Sequence, residues 1–436
     1  MQDRSEGDIN LGGARAAWQR GYIDAEARAL LDEDARWFMH QALSTPCLNV
    51  VERAEGIYLI DTAGRRIMDF HGNTVHQVGY GHPRVIEAVI RQLTTLPFSP
   101  RRYTNRAAIE LARRLAGLAP GRLNKVLFAP SGTAAIGMAL KLARHATGRH
   151  KTVSMWDAFH GASLDAISIG GEAIFRRDAG PLLPGTEHVP PPALARQFFG
   201  DDGRAQERLA DYIDYVLAVQ GDVGAVIAEP VRWTTLEAPP VDFWPRVRES
   251  CDRHGTLLVF DEIPSCLGRT GTMFACEQLG CVPDMLVLGK GLGGGVFPMA
   301  ALIAREDLDA AADRALGHYT HEKSSVGCAA ALATLDVIRD EGLLQRSGEL
   351  GAHGLERLRR MQSRYASIRA VRGLGVSFAV EVATAALAEA VMYRCLTEGL
   401  SFKIGGGAVL TLCPPLTISQ VDLDAALDIL DRALAV

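Results

Sequence analysis

Lysine is scarce in this chain. Of 46 basic residues only six are lysines: Lys125, Lys141, Lys151, Lys290, Lys323 and Lys403. Lys290 alone stands between glycines at the end of an apolar run, in MLVLGKGLGGG. An amine at the end of a buried strand is partly desolvated, which lowers its pKa and frees the lone pair for attack on a carbonyl. A surface lysine in a flexible loop is the plainer alternative. A second run, Thr256–Phe260, drives straight into Asp261-Glu262. A buried carboxylate needs a positive partner or a hydrogen-bond donor, although Asp261 could also simply cap a helix. Lys125–Ala129 leads into Ser131-Gly132-Thr133, whose backbone N–H groups and hydroxyls at a helix N-terminus suit a phosphate, or merely a cap. Thr152–Trp156 is followed by Phe159 and His160, a ring to stack on a flat ligand or an ordinary core aromatic. Ala225–Ala228 ends at Glu229-Pro230, where proline turns the chain and presents the carboxylate at the rim.

These five runs alternate with amphipathic segments from about Val85 to Ile303. Such alternation predicts an α/β architecture with a mainly parallel, doubly wound sheet. In sheets of that kind ligands sit beyond the carboxyl ends of the strands, where all the residues named above fall. Ala25–His40 reads as a helix, and Ile57–Ile60 with Arg65–Phe70 as a hairpin. Leu182–Asp202 reads as a surface excursion. The tail changes character. Helices are expected at Ala329–Arg339, Leu343–Tyr365 and Val421–Ala435, with short strands within Ala366–Val382 and at Val409–Leu412. The expected division is therefore an N-terminal segment, 1–84, that joins a small α+β domain, 329–436, and a large domain, 85–328.

Composition excludes several function classes. The net charge of −5 is a poor basis for phosphate-backbone recognition, so no nucleic-acid partner is expected. No apolar run approaches the roughly 20 residues a membrane helix needs. The opening MQDRSEGDIN lacks a basic-then-apolar signal pattern. The eight cysteines form no CxxC pair, so no metal is expected, and a reducing cytoplasm is the simplest home.

A lysine nucleophile, a buried carboxylate, an aromatic and a phosphate cradle are the parts that hold pyridoxal 5'-phosphate. FAPSGTAAIGMALKLAR, Phe159-His160-Gly161, Glu229-Pro230, DEIPSCLGRTG, PDMLVLGKGLGGG and CPPLTIS, in this order and spacing, resemble the class III aminotransferases of the fold type I pyridoxal-phosphate enzymes. The resemblance covers nearly the whole chain and implies a seven-stranded large-domain sheet. It implies that Lys290 is the Schiff-base lysine and Asp261 the partner of the pyridine nitrogen. Ser131, Gly132 and Thr133 would serve the phosphate. Phe159 and Ile263 would flank the ring, with His160 and Glu229 beside it. Thr320 would reach the phosphate of a neighbouring subunit, which implies a homodimer with its active site at the interface.

The chain departs from the family pattern at telling places. Pro264 replaces the glutamine that bonds the ring hydroxyl. Ser324-Ser325 replaces an Asn-Pro pair. The two positions where family aminotransferases place an arginine for substrate carboxylates hold Thr411 and, near the second, Ile404. A transaminase must bind a keto-acid acceptor, so loss of both anchors favours another reaction. FHGNTVHQVGYGHPRV, SPRRYTN, EPVRWTT and HYTHEKS are most similar to the ammonia-lyase branch acting on (R)-1-hydroxy-2-aminoethylphosphonate. The expectation is therefore a lyase that releases ammonia from a small hydroxy-amine and leaves phosphonoacetaldehyde, with an ω-type aminotransferase as the alternative. A phosphonate dianion calls for cations, and Arg232, Arg101, Arg102 and Lys403 are the candidates.

Overall fold

The computed structural model describes residues 12–435; the polar opening decapeptide lies outside the described residues. Seven strands form the central sheet: β1 (Leu123–Ala129), β2 (Lys151–Met155), β3 (Thr186–Val189), β4 (Val223–Ala228), β5 (Leu257–Asp261), β6 (Met285–Leu288) and β7 (Ala300–Arg305). Their spatial order is β1-β7-β6-β5-β4-β2-β3. Strands β3, β2, β4, β5 and β6 run parallel, while β7 lies antiparallel between β6 and β1. Every residue of β4, β5 and β6 is buried, which is why these strands read as unbroken apolar runs rather than as alternation. The chain is thus α/β with a mainly parallel seven-stranded sheet.

Two strands were hard to see in sequence. Leu182–Asp202 is more than an excursion, because Thr186–Val189 within it is the edge strand β3. An edge strand needs little apolar surface, and THE of TEHV is only half-buried. Strand β7 overlaps the end of the apolar stretch Val296–Ala304, whose direction nothing in its composition reveals.

The helix after β1, Gly132–Thr147, is N-capped by Ser131, whose Oγ accepts from the Ala134 N–H at 3.2 Å. It buries Ile136, Leu140 and Ala143 and stops at Gly148. Asp261 caps no helix: it is the last residue of β5. Helix Ala25–Trp37 ends before His40, and Trp37 and Phe38 are exposed, so no apolar contact prolongs it.

Two smaller sheets complete the described chain. Val51–Glu55, Tyr58–Asp61 and Arg66–Asp69 form a meander, and its last strand pairs in parallel with Leu400–Ser401. Ile368–Leu374, Ser377–Val382, Val409–Leu412 and Lys403–Gly405 form an antiparallel sheet in that order. Helices Leu343–Arg364, Ala385–Thr397 and Gln420–Leu434 accompany it. Phe70 ties the two sheets together: its N–H donates to Ser401 O at 2.8 Å and its carbonyl accepts from Cys413 N at 2.6 Å. The helix Ser325–Asp340 begins with Ser324 as N-cap, and Ser325 Oγ donates to Leu96 O at 2.6 Å. The Ser-Ser pair therefore works as a helix start. Among the described residues all the cysteines are free thiols, and no helix is long and apolar enough to cross a membrane.

Candidate active site

Five strands of the central sheet, β1, β2, β4, β5 and β6, deliver their carboxyl ends to one cavity of about 1610 Å³. Gly132 and Thr133 after β1, Phe159 and His160 after β2, Glu229 after β4, Asp261 and Ile263 at β5, and Lys290 after β6 all line it. The small antiparallel sheet supplies the facing wall, with Lys403, Ile404 and Thr411. These residues share one cavity, whereas Ser131, expected beside them, does not border it.

Lys290 opens a 3-10 turn with φ of 46°, a conformation that costs a non-glycine residue energy and that the surrounding packing must hold. Burial pulls its amine below the usual lysine range, and Lys403 adds to this, while Asp261 and Glu229 oppose it. Burial of this kind favours the uncharged amine, whose lone pair is the nucleophile.

Asp261 is 2 % exposed. Its Oδ2 is bonded to His160 Nδ1 at 2.8 Å, and its Oδ1 accepts from Ile263 N at 3.1 Å. His160 is itself buried, and its Nε2 has no partner. Its neighbour in sequence, Glu262, points the other way and takes the Ala275 and Cys276 N–H groups at 2.6 and 2.7 Å. Of the two adjacent carboxylates only Asp261 belongs to the cavity.

A tight passage shapes the cradle. A Cβ on Gly132 would meet Ile263 Cδ1 at 2.5 Å, and one on Gly161, where φ is 124°, would run into the Thr133 side chain. Phe159 and Ile263 both border this space, and Phe159 packs on Phe175 with ring centroids 4.6 Å apart. The helix N-terminus at Gly132 presents N–H groups to the cavity, so an anion is favoured there.

Arg232 also lines the cavity, but three carboxylates hold it. Its Nη1 is 2.7 Å from Glu229 Oε1, its Nε is 3.7 Å from Asp157 Oδ2, and its Nη2 pairs with Glu172. Burial alone would lower the guanidinium pKa, and the three carboxylates instead raise it. Glu229 answers in kind. Burial acts to raise its carboxyl, but Arg232, His160 and the Phe159 and Trp233 N–H groups hold it below the usual range. Burial pushes Asp157 up to about 7 despite Arg232, and it raises Glu172 as well.

The remaining sequence candidates lie elsewhere. Arg101 and Arg102 are exposed and do not border this chain's cavity; Arg101 Nη2 sits 2.9 Å from His318 Nε2. Thr320 is exposed on the same side segment, and Ser131 faces its own helix. Sequence reading missed Asp157, Glu172 and His71, all of which line the cavity. The position of Asp157 two residues past β2, two before Phe159, was a signal for it. Glu172 carried none. His71 lay in the quoted FHGNTVHQVGYGHPRV stretch without a role.

The "Aminotransferase class-III" family matches residues 39–434. The chain is 48% identical, over 99% of its length and 95% of the relative's, to the (R)-1-hydroxy-2-aminoethylphosphonate ammonia-lyase of Vibrio splendidus. It is 35% identical, over 87% of its length and 94% of the relative's, to the acetylornithine aminotransferase of Methanopyrus kandleri. Among solved structures, the PLP-bound amine transaminase from an uncultivated Pseudomonas species superposes with a TM-score of 0.85 at 29% identity, covering 92% of this chain and 98% of that one. On these matches and the site they accompany, the chain belongs to the class III aminotransferase family.

Proposed function

We propose that the chain is a pyridoxal-phosphate-dependent ammonia-lyase acting on (R)-1-hydroxy-2-aminoethylphosphonate to give phosphonoacetaldehyde. The observation that carries the reading is the 48% identity across 99% of the chain with an ammonia-lyase of that name. The site residues fit the cofactor. The desolvated Lys290, the buried Asp261 backed by His160, and a cradle that no Cβ could enter at Gly132 or Gly161 are what such a group requires.

When bound, pyridoxal phosphate supplies a sink for the electron pair left as a proton departs from the amine-bearing carbon. Asp261 would hold the proton on the ring nitrogen, with His160 Nδ1 fixing the carboxylate for that task. Gly132 and Thr133 would receive the phosphate at the helix N-terminus. Phe159 and Ile263 would border the ring and exclude water from it. Lys290 Nζ would take the proton from the amine-bearing carbon, and loss of the neighbouring hydroxyl as water followed by hydrolysis would leave aldehyde and ammonia.

The anchor positions support elimination. Thr411 Oγ1 donates to Thr234 O at 2.7 Å and is thereby engaged, and Ile404 is apolar. Arg232 is held by carboxylates, and Lys403 on the facing wall borders the cavity as a cation for the phosphonate. The same reading takes Thr320, exposed at the surface, as a phosphate contact to a second copy in a cytoplasmic homodimer, and keeps the division at 84 and 328. Mixing Lys290→Ala with Thr320→Ala protomers then restores activity above that of Thr320→Ala alone; no gain removes the cross-subunit role.

The test of function is direct. The substrate alone, with no keto acid, gives many equivalents of ammonia per enzyme. A turnover strictly dependent on pyruvate or 2-oxoglutarate would replace this reading by the aminotransferase one, to which the 35% identity with an acetylornithine aminotransferase points.

A further inference from the structure

The elimination has a step for which no residue has yet been named: hydroxide is a poor leaving group and needs a proton as the C–O bond breaks. We propose that His71 is the acid that protonates the departing hydroxyl, an inference that rests on the ammonia-lyase reading. His71 lines the cavity together with Lys290 and Lys403. The other imidazole there, His160, has its Nδ1 bonded to Asp261 and its Nε2 buried without a partner.

The backbone delivers His71 to this place by force. Immediately after it, Gly72, Asn73 and Thr74 have φ values of 45°, 44° and 56°. Positive φ is uncommon for asparagine and a genuine outlier for a β-branched threonine. Strain of this kind persists only where the surroundings over-determine it, and it concentrates at functional sites. The surroundings here do so. Asp69 Oδ1 accepts the His71 N–H at 2.9 Å, and its Oδ2 accepts from Tyr80 OH at 2.6 Å. His76 Nε2 bonds Asp69 O at 3.0 Å while Arg269 Nη2 reaches His76 Nδ1 at 3.1 Å. A Cβ on Gly72 would meet the His76 ring at 2.5 Å, so no larger residue fits the turn. Asp69 thus holds the His71 backbone, while the His71 ring borders the cavity with the Asn73 side chain as a hydrogen-bond partner. Phe70, one residue earlier, is bonded between Ser401 and Cys413, which sets His71 beside the wall that bears Lys403.

Charge at this point is tuned by what surrounds the ring. Burial lowers the His71 pKa, with Lys403 and Lys290 acting the same way, while Asp69 and Asn73 act to raise it. The ring thus feels both the amine that works on carbon and the amine that meets the phosphonate. A substrate of two carbons, with its nitrogen end at Lys290 and its phosphonate at Lys403, carries its hydroxyl between those ends. The incoming dianion offsets the Lys403 ammonium, one of the charges that disfavour the protonated ring, and so favours the acid form of His71. In the step itself the C–H pair becomes the new C=C bond and the C–O pair goes to oxygen. The His71 N–H proton moves to that oxygen, and water departs. Lys290 keeps the proton from carbon and returns it to His71 through solvent before the next turnover.

The test separates C–H from C–O cleavage in the holoenzyme, with His71→Asn and a second variant, His71→Gln. Three readouts are taken: ammonia from 1-hydroxy-2-aminoethylphosphonate, ammonia from its O-acetyl derivative, and exchange of the amine-bearing carbon's hydrogens of 2-aminoethylphosphonate in deuterated water. The expected result is a loss of about 100-fold or more with the hydroxy compound. The acetyl compound, whose leaving group needs no proton, and the exchange rate stay as in the unsubstituted enzyme. If all three fall together, or if ammonia release from the hydroxy compound is unchanged, His71 is not the acid. If the unsubstituted enzyme releases no ammonia from the hydroxy compound, the ammonia-lyase reading fails, and this inference with it.

Discussion

Two half-buried cations border one cavity and are treated oppositely. Arg232 is surrounded at close range by Glu229, Glu172 and Asp157, and its charge is strengthened. Lys290 feels Asp261 and Glu229 only as opposing influences on a desolvated amine, and its charge is weakened. Arginine cannot usefully lose its proton, so a buried guanidinium must be neutralised by carboxylates. Lysine can, so burial without a tight partner turns it into a nucleophile and base. A cation engaged by the protein serves the fold, and one left unsatisfied serves the ligand. The same contrast separates Glu262, held by two backbone N–H groups, from Asp261, whose partner His160 still has an unbonded Nε2.

The largest effect should come from the unsatisfied cation. Lys290→Ala is expected to lower turnover by about 10⁴-fold, the upper end for a group that moves the reacting proton. Borohydride reduction of the holoenzyme followed by peptide mapping should attach the cofactor to the Lys290 peptide; a label on Lys323 would break the contrast at its root.

Arg232→Met tests the other side. Removing one partner of a buried ion cluster leaves carboxylates uncompensated and costs about 3–5 kcal/mol. A fall of that size in denaturant unfolding is expected, because Glu229 and Glu172 keep their places in the interior. If the variant instead unfolds normally and only KM rises, Arg232 binds substrate and the contrast is wrong.

Lys403 sharpens the comparison from the facing wall. A charge-assisted contact contributes about 1.5–3 kcal/mol, so Lys403→Ala should raise KM for the phosphonate roughly 10- to 100-fold, with a smaller change in kcat. Equal KM for the phosphonate and for an uncharged hydroxy-amine in the unsubstituted enzyme would remove Lys403 from this role.

Much of this division was legible in the sequence because strand ends are punctuated. GKG after MLVL, DE after LVF and EP after AVIA each mark where a buried strand meets solvent, and in a parallel sheet all such ends face one way. What the chain could not disclose is direction and closure. Asp261 and Glu262 are neighbours of like type, and only the strand register decides which faces the cavity. Arg232 follows Glu229 by three residues, yet its third carboxylate, Glu172, comes from another loop 60 residues away. His71 stood in a stretch noted for its similarity. Its approach to Lys403 depends on Leu400–Ser401 pairing with Met68-Asp69, a contact across more than 330 residues that no local pattern encodes.

The smallest effect concerns a hydroxyl that either reading of the sequence could claim. Ser131 precedes the phosphate cradle, but its Oγ accepts the Ala134 N–H at 3.2 Å and it does not border the cavity, so it belongs with the groups already engaged by the protein. Loss of an N-cap serine to alanine costs about 1 kcal/mol, and to glycine only a few tenths, because glycine leaves the backbone N–H open to water. Ser131→Ala should therefore lower stability by about 1 kcal/mol while Ser131→Gly stays near the unsubstituted protein, and both should bind pyridoxal phosphate as before. Were the hydroxyl also a phosphate ligand, the two variants would lose cofactor affinity equally, since neither retains an oxygen. Unfolding of the cofactor-free protein and cofactor titration of the refolded protein, taken together, separate the outcomes. Equal stability with equal loss of cofactor would move Ser131 from the helix to the ligand.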